Sequence, residues 1–126
     1  MNQVPVVREG ELEQIRKKHP ERIPVVVTRS AQCDKSTPDV KKHKFLVPNH
    51  FTFGDLIYTV RKWMTLPPER ALFLFVNPPE KKNEFIPSPS SLLTEIHEAY
   101  RHRNGVLYVV YTLENTFGGA YATMDS

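Results

Sequence analysis

Residues 44–62 read KFLVPNHFTFGDLIYTVRK, and they decide the fold. Lys44–Val47 is a short, mostly apolar run closed by Pro48, which reads as a strand. The pattern then changes. Phe53, Leu56, Ile57 and Val60, with Met64 just beyond, recur at helical spacing. Thr52 opens this helix, and Asp55 three residues on forms a capping box with the usual Glu shortened. Arg61 and Lys62 fall near its C-terminal end, where cations suit the helix dipole, and Pro67-Pro68 stops it. The apolar stripe is the principal candidate to cover a sheet.

Upstream, Ile23–Arg29 is a strand of β-branched residues, with Pro24 near its start. The polar segment Ser30–Val40 joins it to Lys44–Val47, most simply as an antiparallel pair, though the loop is long for a tight hairpin. Before it, residues 8–19 read as a short helix with Leu12 and Ile15 inward, stopped by Pro20 and too short to stand alone. Downstream, Ala71–Val76 is a fully apolar strand. Ser90 or Ser91 is expected to cap a short helix that turns Leu92 or Leu93, Ile96, Ala99 and Tyr100 inward. Asn104-Gly105 marks a turn. Val106–Thr112 is apolar on both faces and is therefore expected at the centre of the sheet.

The order helix, strand, strand, helix, strand, helix, strand predicts an α+β protein of β-grasp (ubiquitin-like) type. A four-stranded mixed sheet would carry one main packing helix and a short N-terminal helix. A ferredoxin-like fold would place a strand before its first main helix and follow a β-α-β-β-α-β order. The expected organisation is an N-terminal segment and helix over 1–22, a core over 23–113 and a tail over 114–126.

Composition agrees with one soluble domain: 126 residues, 40% hydrophobic and 25% charged. No apolar run is long enough to cross a bilayer, and the first residues show no signal-peptide core, so the cytosol is the expected compartment. One cysteine, Cys33, excludes an intramolecular disulfide. Residues 1–63 carry 12 Lys/Arg against 7 Asp/Glu, net +5, and residues 64–126 carry 5 against 7, net −2. The basic half suits acidic peptides or an anionic surface. Basic residues are not interleaved with aromatics as in a nucleic-acid groove, so no nucleic-acid partner is expected.

No enzyme site is legible. Cys33 lies in a polar loop, and His43 is the only histidine near it in sequence. His97 and His102 are five apart, expected on one helix without sharing a face. There is no H-E-x-x-H and no phosphate-loop motif, so neither metal nor cofactor is expected. The tail carries Phe117-Gly118-Gly119. Glycine lacks a Cβ, so a chain ending in it enters a narrow tunnel and offers an unhindered carboxyl.

Five blocks in order carry a resemblance: IRKKHPERIPVVV (Ile15–Val27), KFLVPNHFTFGDLIYTVRK (Lys44–Lys62), ALFLFVN (Ala71–Asn77), LYVVY (Leu107–Tyr111) and ENTFG (Glu114–Gly118). Over about residues 11–118 the chain resembles the autophagy ubiquitin-like modifiers, the family of the GABA-receptor-associated protein and the microtubule-associated light chains. The resemblance implies that the chain is not itself an enzyme. A cysteine protease would cut after Gly118, the glycine following the aromatic Phe117, with Gly119 as the competing terminus. Activating and conjugating enzymes would then pass the new carboxyl to phosphatidylethanolamine. The product would be a reversible lipid anchor on autophagosome membranes, with the unconjugated form in the cytoplasm. A non-conjugated peptide-binding adaptor on the same fold is the alternative.

The resemblance also implies a groove for cargo receptors bearing an aromatic-x-x-aliphatic motif with acidic flanks, added as a strand beside Lys44–Val47. Glu11, Ile15, Pro24, Lys44, Leu46 and Val106 would form the aromatic pocket. Phe45, Val47, Pro48, Phe51 and Leu56 would form the aliphatic one, and Arg22, Lys42 and Lys44 would meet the acidic flanks. One small domain of this kind is expected to be a monomer. The departures are a short N-terminus, with room for one helix where the family usually has two; Val106 in place of a larger aromatic; Thr59 in place of a larger apolar residue; and Trp63 at a position that is often basic. They point to a divergent paralogue.

Overall fold

The computed structural model describes residues 9–31, 40, 42–66, 69–80 and 82–113. Cys33, most of the 30–40 loop, Val4–Val7, Pro67-Pro68 and the whole 114–126 tail, with Phe117, Gly118 and Gly119, lie outside the described residues. Seven elements follow in order: α1 (Glu9–Lys18), β1 (Arg22–Arg29), β2 (Lys44–Pro48), α2 (Phe53–Met64), β3 (Leu72–Val76), α3 (Leu93–Tyr100) and β4 (Leu107–Leu113). The strands form one mixed sheet in the order β2-β1-β4-β3. β1 runs antiparallel to β2 and parallel to β4, and β3 runs antiparallel to β4. This is the β-grasp architecture. The apolar-on-both-faces strand β4 lies inside the sheet, with every residue except Tyr108 buried.

Pro24 is accommodated by register. The Val27 amide donates to the His43 carbonyl at 2.8 Å, and Val25 faces Phe45 while Ile23 faces Val47. Ladder bonds alternate, so Pro24 falls opposite Leu46, where no hydrogen bond is exchanged with β2, and it precedes Val25–Leu107, the first pair with β4, so its missing N–H interrupts neither ladder. The same alternation turns the backbone groups of Lys44 and Leu46 away from β1. β2 is therefore an edge strand whose outward donors and acceptors have no strand partner. The other edge, β3, is capped at its end by Phe85, whose backbone exchanges two bonds with Val76.

α2 begins as its sequence predicts. The Asp55 amide donates to Thr52 Oγ1 at 3.2 Å, and the Thr52 amide donates to Asp55 Oδ2 at 2.9 Å. Two further N–H groups of its first turn, which no helical carbonyl reaches, are met from outside the helix. Phe53 donates to the Ser91 carbonyl and Gly54 to the Pro89 carbonyl, each at 2.9 Å. Phe53, Leu56, Val60 and Met64 are buried against Ile23, Val25, Val27, Val47 and the inward side chains of β3 and β4. That is the main core.

α3 departs from expectation at its start. Its N-cap is Leu92, with no side-chain cap bond, rather than Ser90 or Ser91. The Leu93 amide is already satisfied by the Phe51 carbonyl at 2.9 Å, so the bond a serine cap supplies is made by backbone from the turn that precedes α2. Leu93 and Ile96 point inward and Tyr100 is half-buried, whereas Ala99 and Leu92 are exposed. The helix also ends before His102. His97 Nε2 bonds the Gly105 carbonyl at 2.7 Å and His102 Nε2 bonds the Asn77 carbonyl at 2.9 Å, so both histidines fasten the turn between α3 and β4. Gly105 in that turn has φ 88°, a conformation that favours glycine.

Candidate functional site

The sheet has a second face, away from α2. Strand alternation places Pro24 and Val26 of β1, Lys44 and Leu46 of β2, and Val106 and Tyr108 at the start of β4 on that side. α1 lies over it. Together they enclose a cavity of about 300 Å³ lined by Glu11, Ile15, Pro24, Val25, Val26, Lys42, Lys44, Phe45, Leu46 and Val106. All six residues assigned to an aromatic pocket stand around this one space. Val25, Val26, Lys42 and Phe45 also line it. Val26 was legible in principle, since it follows Pro24 by two in a strand and must share its face.

Charge at the mouth is partly balanced. Lys44 Nζ lies 3.4 Å from each Glu11 carboxylate oxygen, tying α1 to the edge strand. Both side chains are partly exposed, so the pair orients the helix more than it stabilises the fold. Val106 is 1% exposed and forms the floor with Val26.

The residues assigned to an aliphatic pocket are placed differently. Phe45, Val47 and Leu56 are 7%, 3% and 0% exposed and belong to the main core. Phe51 is half-buried against that core, with its ring edge-on to His50. Pro48 ends β2 and is half-buried. Phe45, Val47 and Leu56 are therefore packing residues of the core, with Leu56 closed to solvent.

The cations are spread along β2 rather than clustered. Arg22 stands opposite Pro48 and donates from Nη1 to the Leu46 carbonyl at 3.2 Å, one of the edge acceptors left free by β1. Lys42 lies at the other end. Its ammonium sits 5.8 Å from the Phe45 ring centre and 5.6 Å from that of Trp63, and the two rings meet edge to face at 6.5 Å. Trp63 is 42% exposed, on the α2 side of the edge. Thr59 turns its hydroxyl back to the Asp55 carbonyl at 3.0 Å. Among the described residues there is no group of three or more His, Cys, Asp or Glu positioned for a metal ion, and no helix long and apolar enough to cross a membrane.

An apolar cavity beside an unpaired strand edge, ringed by lysines, is suited to an extended peptide. Comparison with known proteins gives the family. The family pattern described as "Autophagy protein Atg8 ubiquitin like" matches residues 7–118. "Autophagy-related protein 8" of Mycosarcoma maydis is 40% identical over 111 residues, covering 88% of this chain and 87% of that protein. "Autophagy-related protein 8b" of Arabidopsis thaliana is 42% identical over 115 residues, covering 91% and 88%. The crystal structure of Trypanosoma brucei ATG8 superposes with a TM-score of 0.72 at 27% identity, covering 84% of each chain.

Proposed function

This chain belongs to the Atg8 ubiquitin-like autophagy family, and on that premise we propose that it is a processed, lipid-conjugated modifier that gathers peptide-bearing partners. The observation that carries the peptide half is the cavity between α1, β1 and β2, opening beside the free edge of β2. An aromatic side chain enters the cavity lined by Ile15, Pro24, Leu46 and Val106. Its backbone pairs with Lys44 and Leu46. An aliphatic side chain three residues on reaches the seam formed by Phe45, Val47, Pro48, Phe51 and Leu56. Arg22, Lys42 and Lys44 favour acidic flanks.

The modifier half rests on family membership and on the Phe117-Gly118 pair. A cysteine protease exposes the Gly118 carboxyl; activating and conjugating enzymes transfer it to the amine of phosphatidylethanolamine. The organisation follows from this: a short N-terminal segment and helix over 1–22, a core over 23–113, and a tail over 114–126 from which the residues after Gly118 are removed. The protein then divides between cytoplasm and autophagosome membrane. Two acyl chains hold a protein firmly where one holds it marginally, at about 0.8 kcal/mol per buried CH₂.

The test is mass spectrometry of the C-terminal fragment from membrane and soluble fractions of the protein's own cells. A membrane fragment ending at Gly118 with phosphatidylethanolamine attached is expected. A fragment ending at Gly119 moves the processing site. Ser126 intact in both fractions refutes conjugation and leaves an unconjugated adaptor.

A further inference from the structure

Beyond the described residues, the tail repeats the pattern that the groove is read to accept. Tyr121-Ala122-Thr123-Met124 is an aromatic residue, two small residues and an apolar one, followed by Asp125. Methionine is flexible and apolar, so it fills an irregular seam. The same spacing at Phe53–Leu56, Trp63–Leu66 and Phe73–Val76 falls within or at the end of α2 and in β3, where the backbone is already committed to helix or sheet.

The sheet sets the direction of approach. β1 is parallel to β4 and antiparallel to β2, so β4 and β2 run in opposite directions. A chain that leaves β4 at Leu113 and doubles back therefore runs with β2. That is the direction of the added strand, whose aromatic residue enters the cavity under α1 and whose aliphatic residue lies toward Pro48.

The registers set the reach. Lys44 pairs with Val26 and Val26 with Tyr108, so Leu113 lies five residues past the level of Lys44, at the same end of the sheet. An added strand beyond β2 is three strand spacings from β4. With about 3.3 Å per residue and 4.8 Å per spacing, a tyrosine placed between Lys44 and Leu46 stands about 25 Å from Leu113. Tyr121 follows Leu113 by eight residues, and eight nearly extended residues span about 27 Å.

Charge agrees with the contact. Residues 114–126 hold Glu114 and Asp125 with no Lys or Arg, whereas residues 1–63 are net +5. We propose, resting on the groove reading above, that the tail segment Tyr121–Met124 occupies the groove of its own chain before processing. Tyr121 enters the cavity between Ile15, Pro24, Leu46 and Val106, and Met124 reaches the β2–α2 seam. Cleavage after Gly118 or Gly119 removes Tyr121 either way, so the cut that exposes the carboxyl also opens the groove to partners.

The test uses the full chain and a labelled synthetic peptide, Glu-Asp-Tyr-Gln-Ser-Leu-Glu, read by fluorescence anisotropy. The span exceeds the linker's r.m.s. length of about 16 Å, which lowers the tail's effective concentration below the millimolar maximum, to about 0.3 mM. Against an intrinsic Kd of about 100 μM, the groove is then open about a quarter of the time. Tyr121→Ala in the full chain should therefore tighten peptide binding about fourfold, at every protein concentration. Met124→Ala should also tighten it, and Thr123→Ser, which keeps the pattern, should not. A synthetic peptide of residues 119–126 should displace the label from the Tyr121→Ala chain, and the same peptide with its tyrosine replaced by alanine should fail to. Equal binding by the full chain and Tyr121→Ala, or an equal gain from Thr123→Ser, overturns the tail contact and leaves the groove standing. A gain that vanishes on dilution of the chain overturns the contact within one chain and places the tail in a second copy. Failure of every form of the chain to bind the labelled peptide overturns the groove reading and the tail contact with it.

Discussion

Leu56→Ala and Leu46→Ala separate core from groove. Leu56 is fully buried among Val60, Val47 and the inward residues of the sheet, so its truncation leaves a cavity. Leu→Ala at such sites costs about 3 kcal/mol, within a range of roughly 2 to 5. With a urea slope of about 1.5 kcal/mol/M, that lowers the unfolding midpoint by about 2 M. Leu46 is half-buried on the opposite face and lines the cavity under α1. Its truncation removes about 1 kcal/mol of apolar contact with an incoming aromatic ring, which is about a fivefold loss of affinity. It should cost the fold less than Leu56→Ala does. Urea titration followed by Trp63 fluorescence measures the first effect, and peptide anisotropy well below the unfolding transition measures the second. The reasoning fails if Leu56→Ala leaves the midpoint in place while weakening binding, since Leu56 would then open to the groove. It fails equally if Leu46→Ala lowers the midpoint as far as Leu56→Ala.

Thr52→Ala removes one half of the capping box that starts α2 and should lower stability by about 1 kcal/mol, read by the same urea titration; an unchanged midpoint would mean that the crossing backbone bonds hold the helix start alone. Gly105→Ala forces a side chain into φ 88° and should cost about 1 to 2 kcal/mol, visible as a lower melting temperature. Glu11→Gln frees Lys44 and should tighten binding of acid-flanked peptides by up to about fivefold at low salt, with the gain shrinking as salt rises; no change would show that Glu11 does not compete for Lys44. Gly118→Ala should abolish the lipid-bearing C-terminal fragment in the mass-spectrometric assay, while the groove variants leave that fragment intact.

The fold was legible where periodicity and punctuation agreed. Thr52 and Asp55 announced α2 down to its cap, and the doubly apolar β4 announced its place inside the sheet. The start of α3 was not legible as it stands, because its first amide is satisfied by Phe51, a partner about forty positions away in sequence that no local serine pattern reveals. Ala99 misled for a related reason. Helical spacing marks a stripe but not its width, and here Leu93 and Ile96, with half-buried Tyr100, fill the space under α3. At the candidate site, residues from four separate segments converge on one cavity, and it was the family resemblance rather than any spacing that grouped them. The resemblance did not convey the division of labour in β2, where Phe45 and Val47 serve the core while Lys44 and Leu46 face outward. The Lys42–Trp63 contact was invisible in one dimension, since Lys42 precedes β2 while Trp63 lies in α2, and the two meet only when α2 lies across the sheet.

The parallel pairing of β1 with β4 also bears on how the molecule assembles. Val25 sits beside Leu107, so an early strand has no neighbour on that side until one of the last elements arrives. The β1–β2 hairpin, even with α2 docked, leaves half of β1's backbone groups waiting. Closure of so long a loop is slow relative to local helix formation. The rate-limiting step of folding should therefore be insertion of β4 between β1 and β3. Until that insertion, both apolar faces of β4 are open to solvent, and aggregation during refolding should track substitutions in Leu107–Leu113 more closely than those in α1.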